Sequence, residues 1–150
     1  MASGGQGDDP GMSLQEQLAA VLEEILPIQR EDDGAVTVHH DETFASLRVV
    51  TIAEGLDMVS LTQILAWDLP LDSKTRAKVA KHAHDTLLGT VSLVEKSAAA
   101  KRNSKKTADV LLRYNFPAAG LTDDALRTLI LMVLATGADI RRDLIAGPGA

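Results

Sequence analysis

Two short runs of the sequence combine residue types that bind metals, the run HHDE at 39–42 and the run HAH at 82–84. Imidazole and carboxylate groups are common zinc ligands. On a strand, however, adjacent side chains point to opposite faces. On a helix, residues two positions apart differ by about 200° around the axis. Neither run can close on one ion by itself, so we expect no metal site and no cofactor.

Motifs for catalysis are also missing from the sequence. There is no Gly-x-Ser-x-Gly elbow, no phosphate-binding loop and no zincin motif. The chain has no cysteine, which excludes thiolate catalysis and cysteine-ligated metals. Acid–base catalysis would require carboxylates or a histidine to converge in a pocket. We therefore expect no enzymatic activity, and an enzyme whose site forms only by tertiary convergence stays an alternative.

The run EKSAAAKRNSKK at 95–106 contains five of the fifteen Lys and Arg residues. Four of these basic residues could contact phosphates together with the basic segment 74–81: Lys101, Arg102, Lys105 and Lys106. Without this run the chain keeps 10 basic and 20 acidic residues, a net charge of −10. An acidic body repels polyanions. A nucleic-acid-associated regulator is thus an alternative function, and we interpret 96–106 as the solvated loop of a β-hairpin.

Composition predicts one globular domain. The 150 residues are 45% hydrophobic but only 3% aromatic, so the core must consist of Leu, Val, Ile and Ala. We predict a disordered leader at 1–11, a single α+β domain at 12–146 and a flexible tail at 147–150. The sequence shows no secretory signal and no apolar run that could span a bilayer. We expect a cytoplasmic protein without membrane association.

Hydrophobic periodicity and capping residues predict the order of elements. Three helices are expected. The first, 14–26, is capped by Ser13, and the second, 74–88, is capped by Ser73. The last is capped by Thr122 and runs for about twenty residues from 123. Five strands are expected from alternation between turn signals: 35–40, 44–52, 58–69, 90–95 and 107–116. The order α-βββ-α-ββ-α predicts a five-stranded, mainly antiparallel sheet with packed helices.

Two sets of apolar residues lead to more specific hypotheses. Strict alternation places Trp67 on the same face as Leu61, Leu65 and Leu69, which predicts that Trp67 is a core residue. On the last helix the predicted inner stripe consists of Leu126, Leu129, Ile130, Val133 and Leu134. Leu131 and Met132 lie outside it. A helix that is apolar nearly all round is either deeply buried or has a second partner, and in a domain this small a second partner is plausible. We therefore assign Leu131 and Met132 to self-association.

The segment DVLLRYNFPAAGLTDDALRTLILMVLATGADIRR at 109–142, where a strand leads to a long capped helix, carries a family resemblance. With the element order, it resembles the type III secretion chaperone-like fold, especially its YbjN-like and actinobacterial uncharacterised members. The resemblance implies a small acidic protein, often a homodimer, that binds an extended segment of another protein. It transfers no catalytic residue. We expect a homodimeric protein-binding module with chaperone or adaptor character and an unidentified protein or peptide partner.

Overall fold

The structure is a computed structural model that describes residues 13–96 and 106–146. It contains three helices and six strands within these ranges: α1 Leu14–Glu23, β1 Ile28–Arg30, β2 Val36–His40, β3 Thr43–Ala53, β4 Leu56–Pro70, α2 Ser73–Asp85, β5 Thr90–Lys96, β6 Thr107–Pro117 and α3 Asp123–Ile145. The predicted leader and tail, and most of the basic run, lie outside the described residues.

The strands form one antiparallel sheet in the order β1-β2-β3-β4-β6-β5. This confirms the α+β class and the antiparallel sheet, but the prediction of five strands was wrong. The additional strand is β1, which pairs with β2 through Ile28 and Val38. Three residues are too few for an alternating pattern to show in the sequence. The chain enters β1 directly after Pro27.

One face of the sheet carries the core, and all three helices pack on it. Leu22 of α1, Val79 of α2 and Leu126 of α3 join a single buried cluster with alternate strand residues such as Leu61 and Leu112. The other face is not covered by any element within the described residues. We call it the open face.

The helix caps show how local sequence sets the helix ends. Ser13 caps α1 and Thr122 caps α3, as predicted, because each hydroxyl accepts a backbone N–H three residues on, at 3.1 Å. For α2 the predicted cap was wrong. The carboxylate of Asp72, not the hydroxyl of Ser73, accepts the Thr75 backbone N–H at 2.8 Å. The helix also ends at Asp85 and not at residue 88 as predicted, and Leu87 beyond it is 90% exposed.

Gln63 is the largest polar side chain in the core and sets how α3 sits on the sheet. It is fully buried, and its Nε2 donates to Thr43 Oγ1 at 2.9 Å and to the Leu134 carbonyl at 3.1 Å. A methyl group at Gly137 would overlap the Gln63 amide. The helix and the sheet approach closely here because position 137 carries no side chain.

The prediction that Trp67 is a core residue was wrong. The pairing of β4 with β6 is interrupted by bulges between Ile64 and Ala66 and between Ala66 and Leu69. Leu65 and Ala66 are both buried, which shifts the alternation by one residue. Trp67 therefore turns to the open face, where it is 52% exposed.

Candidate functional site

The two edges of the sheet differ in length and charge. At one edge β1 has three residues and includes Arg30. At the other edge β5 has seven residues, and the run from Thr90 to Val94 carries no charge. Within 13–96 and 106–146 nothing pairs with the outer side of β5. An uncharged edge strand with free N–H and C=O groups is a template for the addition of another strand.

Apolar side chains on the open face lie next to this edge. Ile64 of β4 pairs with Phe44 on one side and Leu111 on the other. Val94 of β5 is 45% exposed and Phe44 is 41% exposed. Together with Trp67 these residues form what we call the open-face patch. The patch extends from the middle of the sheet to the β5 edge, so an added strand would lie beside it.

Of the cations on the open face, Lys96 is paired internally. Its Nζ lies 2.7 Å from Asp68 Oδ1, 3.0 Å from Asp109 Oδ1 and 5.7 Å from the centroid of the Trp67 ring. The hydrogen bond to Asp68 raises the pKa of Lys96, and the same bond lowers the pKa of Asp68. The Asp68 backbone has a positive φ of 51° and donates its N–H to Asp109 Oδ1 at 3.0 Å. These contacts fasten the end of β4 to β5 and β6.

Arg48 and Arg113 also face this side, and they differ in their partners. The guanidinium of Arg48 lies 3.1 Å from Asp33 Oδ2. Arg113 is exposed, and no carboxylate of the described residues forms an ion pair with it. Around Arg113 the sheet carries hydroxyl groups, because Arg113 pairs with Thr62 on β4 and with Thr90 on β5. Arg113 is thus a cation available to an anionic group of a partner.

The two residues assigned to self-association differ in position. Met132 is 52% exposed, whereas Leu131 is half-buried. Met132 lines a shallow depression of about 530 Å³ on the outer surface of α3, and Leu131 does not. The other lining residues are Leu121, Asp124, Ala125, Thr128 and Leu129. Of the two residues, Met132 is therefore the one exposed at this surface.

The basic residues of the nucleic-acid alternative are only partly described. Lys101, Arg102 and Lys105 lie outside the described residues, and Lys106 is exposed immediately before β6. In α2, Lys78 donates to the Asp143 carbonyl at 2.9 Å, and Arg76 lies 3.8 Å from Glu95. These two basic side chains of the segment 74–81 are thus engaged in internal contacts.

The histidines lie apart from one another. His39 packs against the Phe44 ring on the open face, with ring centroids 4.5 Å apart. His82 Nε2 is 2.6 Å from Asp143 Oδ2, and this hydrogen bond lowers the pKa of Asp143. Among the residues that the structure describes, no three His, Asp or Glu side chains are placed to hold a metal ion.

Val94 and Arg113 were not identified from the sequence as candidate site residues. Both were placed in predicted strands, but the sequence does not reveal that β5 is an edge strand or that Arg113 faces away from the helices. The one available signal was the uncharged run at 90–94, which is unusual for an exposed edge.

Comparisons with known proteins support the fold but not a function. No family model matches the chain, and no curated protein matches it. The crystal structure of YbjN from E. coli, described as a candidate transcription regulator, is similar over 85% of this chain and 88% of that chain, with a TM-score of 0.54 and 8% sequence identity. No helix of the described residues has the length and apolar character needed to cross a membrane. At this identity the similarity concerns the fold alone, and the chain has a YbjN-like α+β fold.

Proposed function

We propose that this protein is a non-enzymatic, cytoplasmic adaptor or chaperone that binds an extended segment of a partner protein. The observation that carries the proposal is the seven-residue β5 edge with its uncharged run from Thr90 to Val94. A partner segment would add to the sheet as a further strand. Main-chain hydrogen bonds would supply affinity, and alternate side chains of the partner would supply specificity.

The open-face patch supports this mechanism because it places apolar surface beside the edge. Val94 is the patch residue on β5 itself, and its 45% exposure leaves room for a side chain of the added strand. Residues directly opposite each other on adjacent antiparallel strands point to the same face and contact each other. A partner side chain opposite Val94 would therefore extend the apolar surface over the sheet.

The proposal is tested by selecting peptides from a random display library against the full chain and measuring their affinities by fluorescence anisotropy. The variant Val94→Lys introduces a charge into the edge strand, and we expect its affinity for the selected peptides to fall at least tenfold. Val50→Lys is the matched control, because Val50 is 39% exposed on the same face but on β3. If both variants lose affinity equally, or if neither loses affinity, binding at β5 is contradicted.

We also propose that the protein is a homodimer whose subunits meet through the depression on α3. Met132 is half exposed within a mainly apolar surface, and a second copy of the helix could cover it. Multi-angle light scattering should report twice the chain mass of 15.9 kDa. Met132→Glu should shift the mass to that of the monomer. Leu87→Glu is the control, because Leu87 is 90% exposed outside α3.

A nucleic-acid-associated regulator is the second candidate. It is favoured by the description of YbjN as a candidate transcription regulator and by the exposed Lys74, Lys81 and Lys106. Each phosphate contact would add nearly one unit to the slope of log affinity against log salt concentration. Titration with mixed-sequence DNA and RNA at low salt tests this candidate, and an absence of binding removes it.

A further inference from the structure

We infer that the β5 edge selects partner segments by charge, through an acidic side chain that pairs with Arg113. The inference rests on the proposed strand addition and specifies its partner. The segment carries Asp or Glu at the position opposite Thr90 and apolar side chains at the positions opposite Ser92 and Val94. In an antiparallel partner strand this reads, from N to C terminus, apolar–x–apolar–x–acidic.

The charges of the open face support an acidic residue in the partner. Lys96 and Arg48 are neutralised by carboxylates within the sheet and its adjoining turn. Arg113 is left with hydroxyl-bearing neighbours and no carboxylate among the described residues. Arginine presents several donors in a planar arrangement that matches a carboxylate. Within the part of the chain that the structure describes, Arg113 is thus a cation without a carboxylate partner close to the β5 edge.

The register determines where the acidic residue lies. Residues directly opposite one another on neighbouring strands form a row across the sheet. Arg113 of β6 is paired with Thr90 of β5, so the next residue in this row belongs to the added strand. Adjacent strands are about 4.8 Å apart, which places the added strand about 9.6 Å from β6. Threonine is short and does not block this path. The long side chain of Arg113 and a carboxylate side chain of the partner can meet above Thr90.

The two following rows are apolar. Leu111 of β6 is half-buried and pairs with Ser92, whose small side chain leaves Leu111 accessible from the added strand. In the next row Val94 pairs with Asp109, which is already bonded to Lys96. A partner side chain opposite Val94 therefore contacts an aliphatic surface rather than a free charge.

These features together fit a peptide and not a nucleic acid. Strand addition uses backbone N–H and C=O groups of the occupant, and a sugar–phosphate chain cannot supply this pattern. The two residues that the added strand would contact beyond Thr90, Leu111 and Val94, are aliphatic and suit apolar side chains of a peptide. On a chain of net charge −6, Arg113 beside the β5 edge is weak support for a polyanion but sufficient for one carboxylate.

The test compares the composition of selected peptides for two proteins, the wild-type chain and Arg113→Glu. We expect the wild type to enrich Asp or Glu at one fixed position, two residues beyond the second of two alternating apolar residues. The Arg113→Glu variant should enrich Lys or Arg there. Arg48→Glu is the control: it changes a charge on the same face that is already paired, and it should leave the preference unchanged.

A charge-swap cycle gives the quantitative readout. A synthetic peptide with the selected sequence should bind Arg113→Glu roughly five- to tenfold more weakly than wild type, and Asp→Lys in the peptide should restore binding to that variant. The preference should weaken as salt is raised, because both groups are exposed. Circular dichroism checks that the variants are folded.

The outcomes separate this inference from the function it rests on. Peptides that bind at β5 but show no acidic preference, or a preference that Arg113→Glu does not reverse, overturn the inference and leave strand addition standing. Peptides that do not depend on Val94 overturn both. Tight binding of oligonucleotides in place of peptides, lost on Arg113→Glu, would also overturn the inference.

Discussion

The two faces of the sheet are made by alternate residues of the same strands, yet they differ in burial and in chemistry. Leu61 and Leu65 of β4 are fully buried under the helices, whereas Trp67 of the same strand is half exposed on the open face. The helix-covered face supplies the buried apolar surface that stabilises the fold. Within the described residues, the open face carries apolar groups and the cation Arg113, which has no carboxylate partner, beside an edge strand that is paired on one side only. The covered face thus stabilises the fold, and the binding that we propose would use the open face and its edge.

The largest expected difference is between apolar truncations on the two faces. Leu61→Ala removes a fully buried side chain and should lower the free energy of unfolding by about 2–5 kcal/mol. Ile52→Ala, at a site in β3 that is 58% exposed and outside the helix-covered core, should change it by less than about 0.5 kcal/mol. Urea denaturation measures both values. Similar losses in the two variants would contradict the division between the faces.

The contact between Gly137 and Gln63 gives a second test of the covered face. Alanine normally stabilises a helix relative to glycine. Here the added methyl group would displace the buried Gln63 amide, so Gly137→Ala should destabilise the protein by about 1–2 kcal/mol. When Gln63 has already been replaced by alanine, the amide is absent, and adding Gly137→Ala should cost less stability than it costs in the wild type. Additive losses would show that the two residues do not compete for the same space.

Trp67 tests the position of the bulge between the two faces. If Trp67 were a core residue, its replacement by alanine would lower the free energy of unfolding by about 3–5 kcal/mol. On the open face the cost should be about 1 kcal/mol, measured by chemical denaturation. Because Trp67 is the only tryptophan, its fluorescence reports on this site alone. Emission should be red-shifted and readily quenched by acrylamide, and a blue-shifted, protected emission would place the ring in the core.

The smallest expected effect concerns the cap of α2. The hydrogen bond from the Thr75 backbone N–H lowers the pKa of Asp72 below its value in the unfolded chain. The ionised cap therefore stabilises the fold above the unfolded pKa, and this contribution is lost as the pH falls through the folded pKa. Asp72→Ala should lower stability at pH 7 and flatten its decline below about pH 4. Ser73→Ala should do neither, and thermal denaturation at a series of pH values distinguishes the two.

The sequence predicted the order of the helices and of the five longer strands because each has its own periodicity. The caps Ser13 and Thr122 were predictable because a hydroxyl precedes a clear apolar stripe. The cap of α2 was not, because Asp72 and Ser73 are both good capping residues and only the backbone conformation decides between them. β1 is too short to show a pattern.

The candidate site was harder to predict, because it depends on strand order and on one bulge. Local alternation shows which residues of a strand share a face of the sheet. It does not show which face the helices cover or which strand forms the edge. Arg113 and Val94 become candidate residues only once β5 is known to be the last strand. The sequence places both Leu131 and Met132 outside the helical stripe, and only the packing of α3 shows that Met132 is exposed and Leu131 half-buried.

Amide hydrogen exchange of the full chain, with and without a selected peptide, tests the central claim most directly. If the partner adds to the sheet as a strand, the amides of β5 between Thr90 and Lys96 become protected on binding, and those of β1 do not change. Protection confined to α3, or no change in β5 at saturating peptide, would contradict the account.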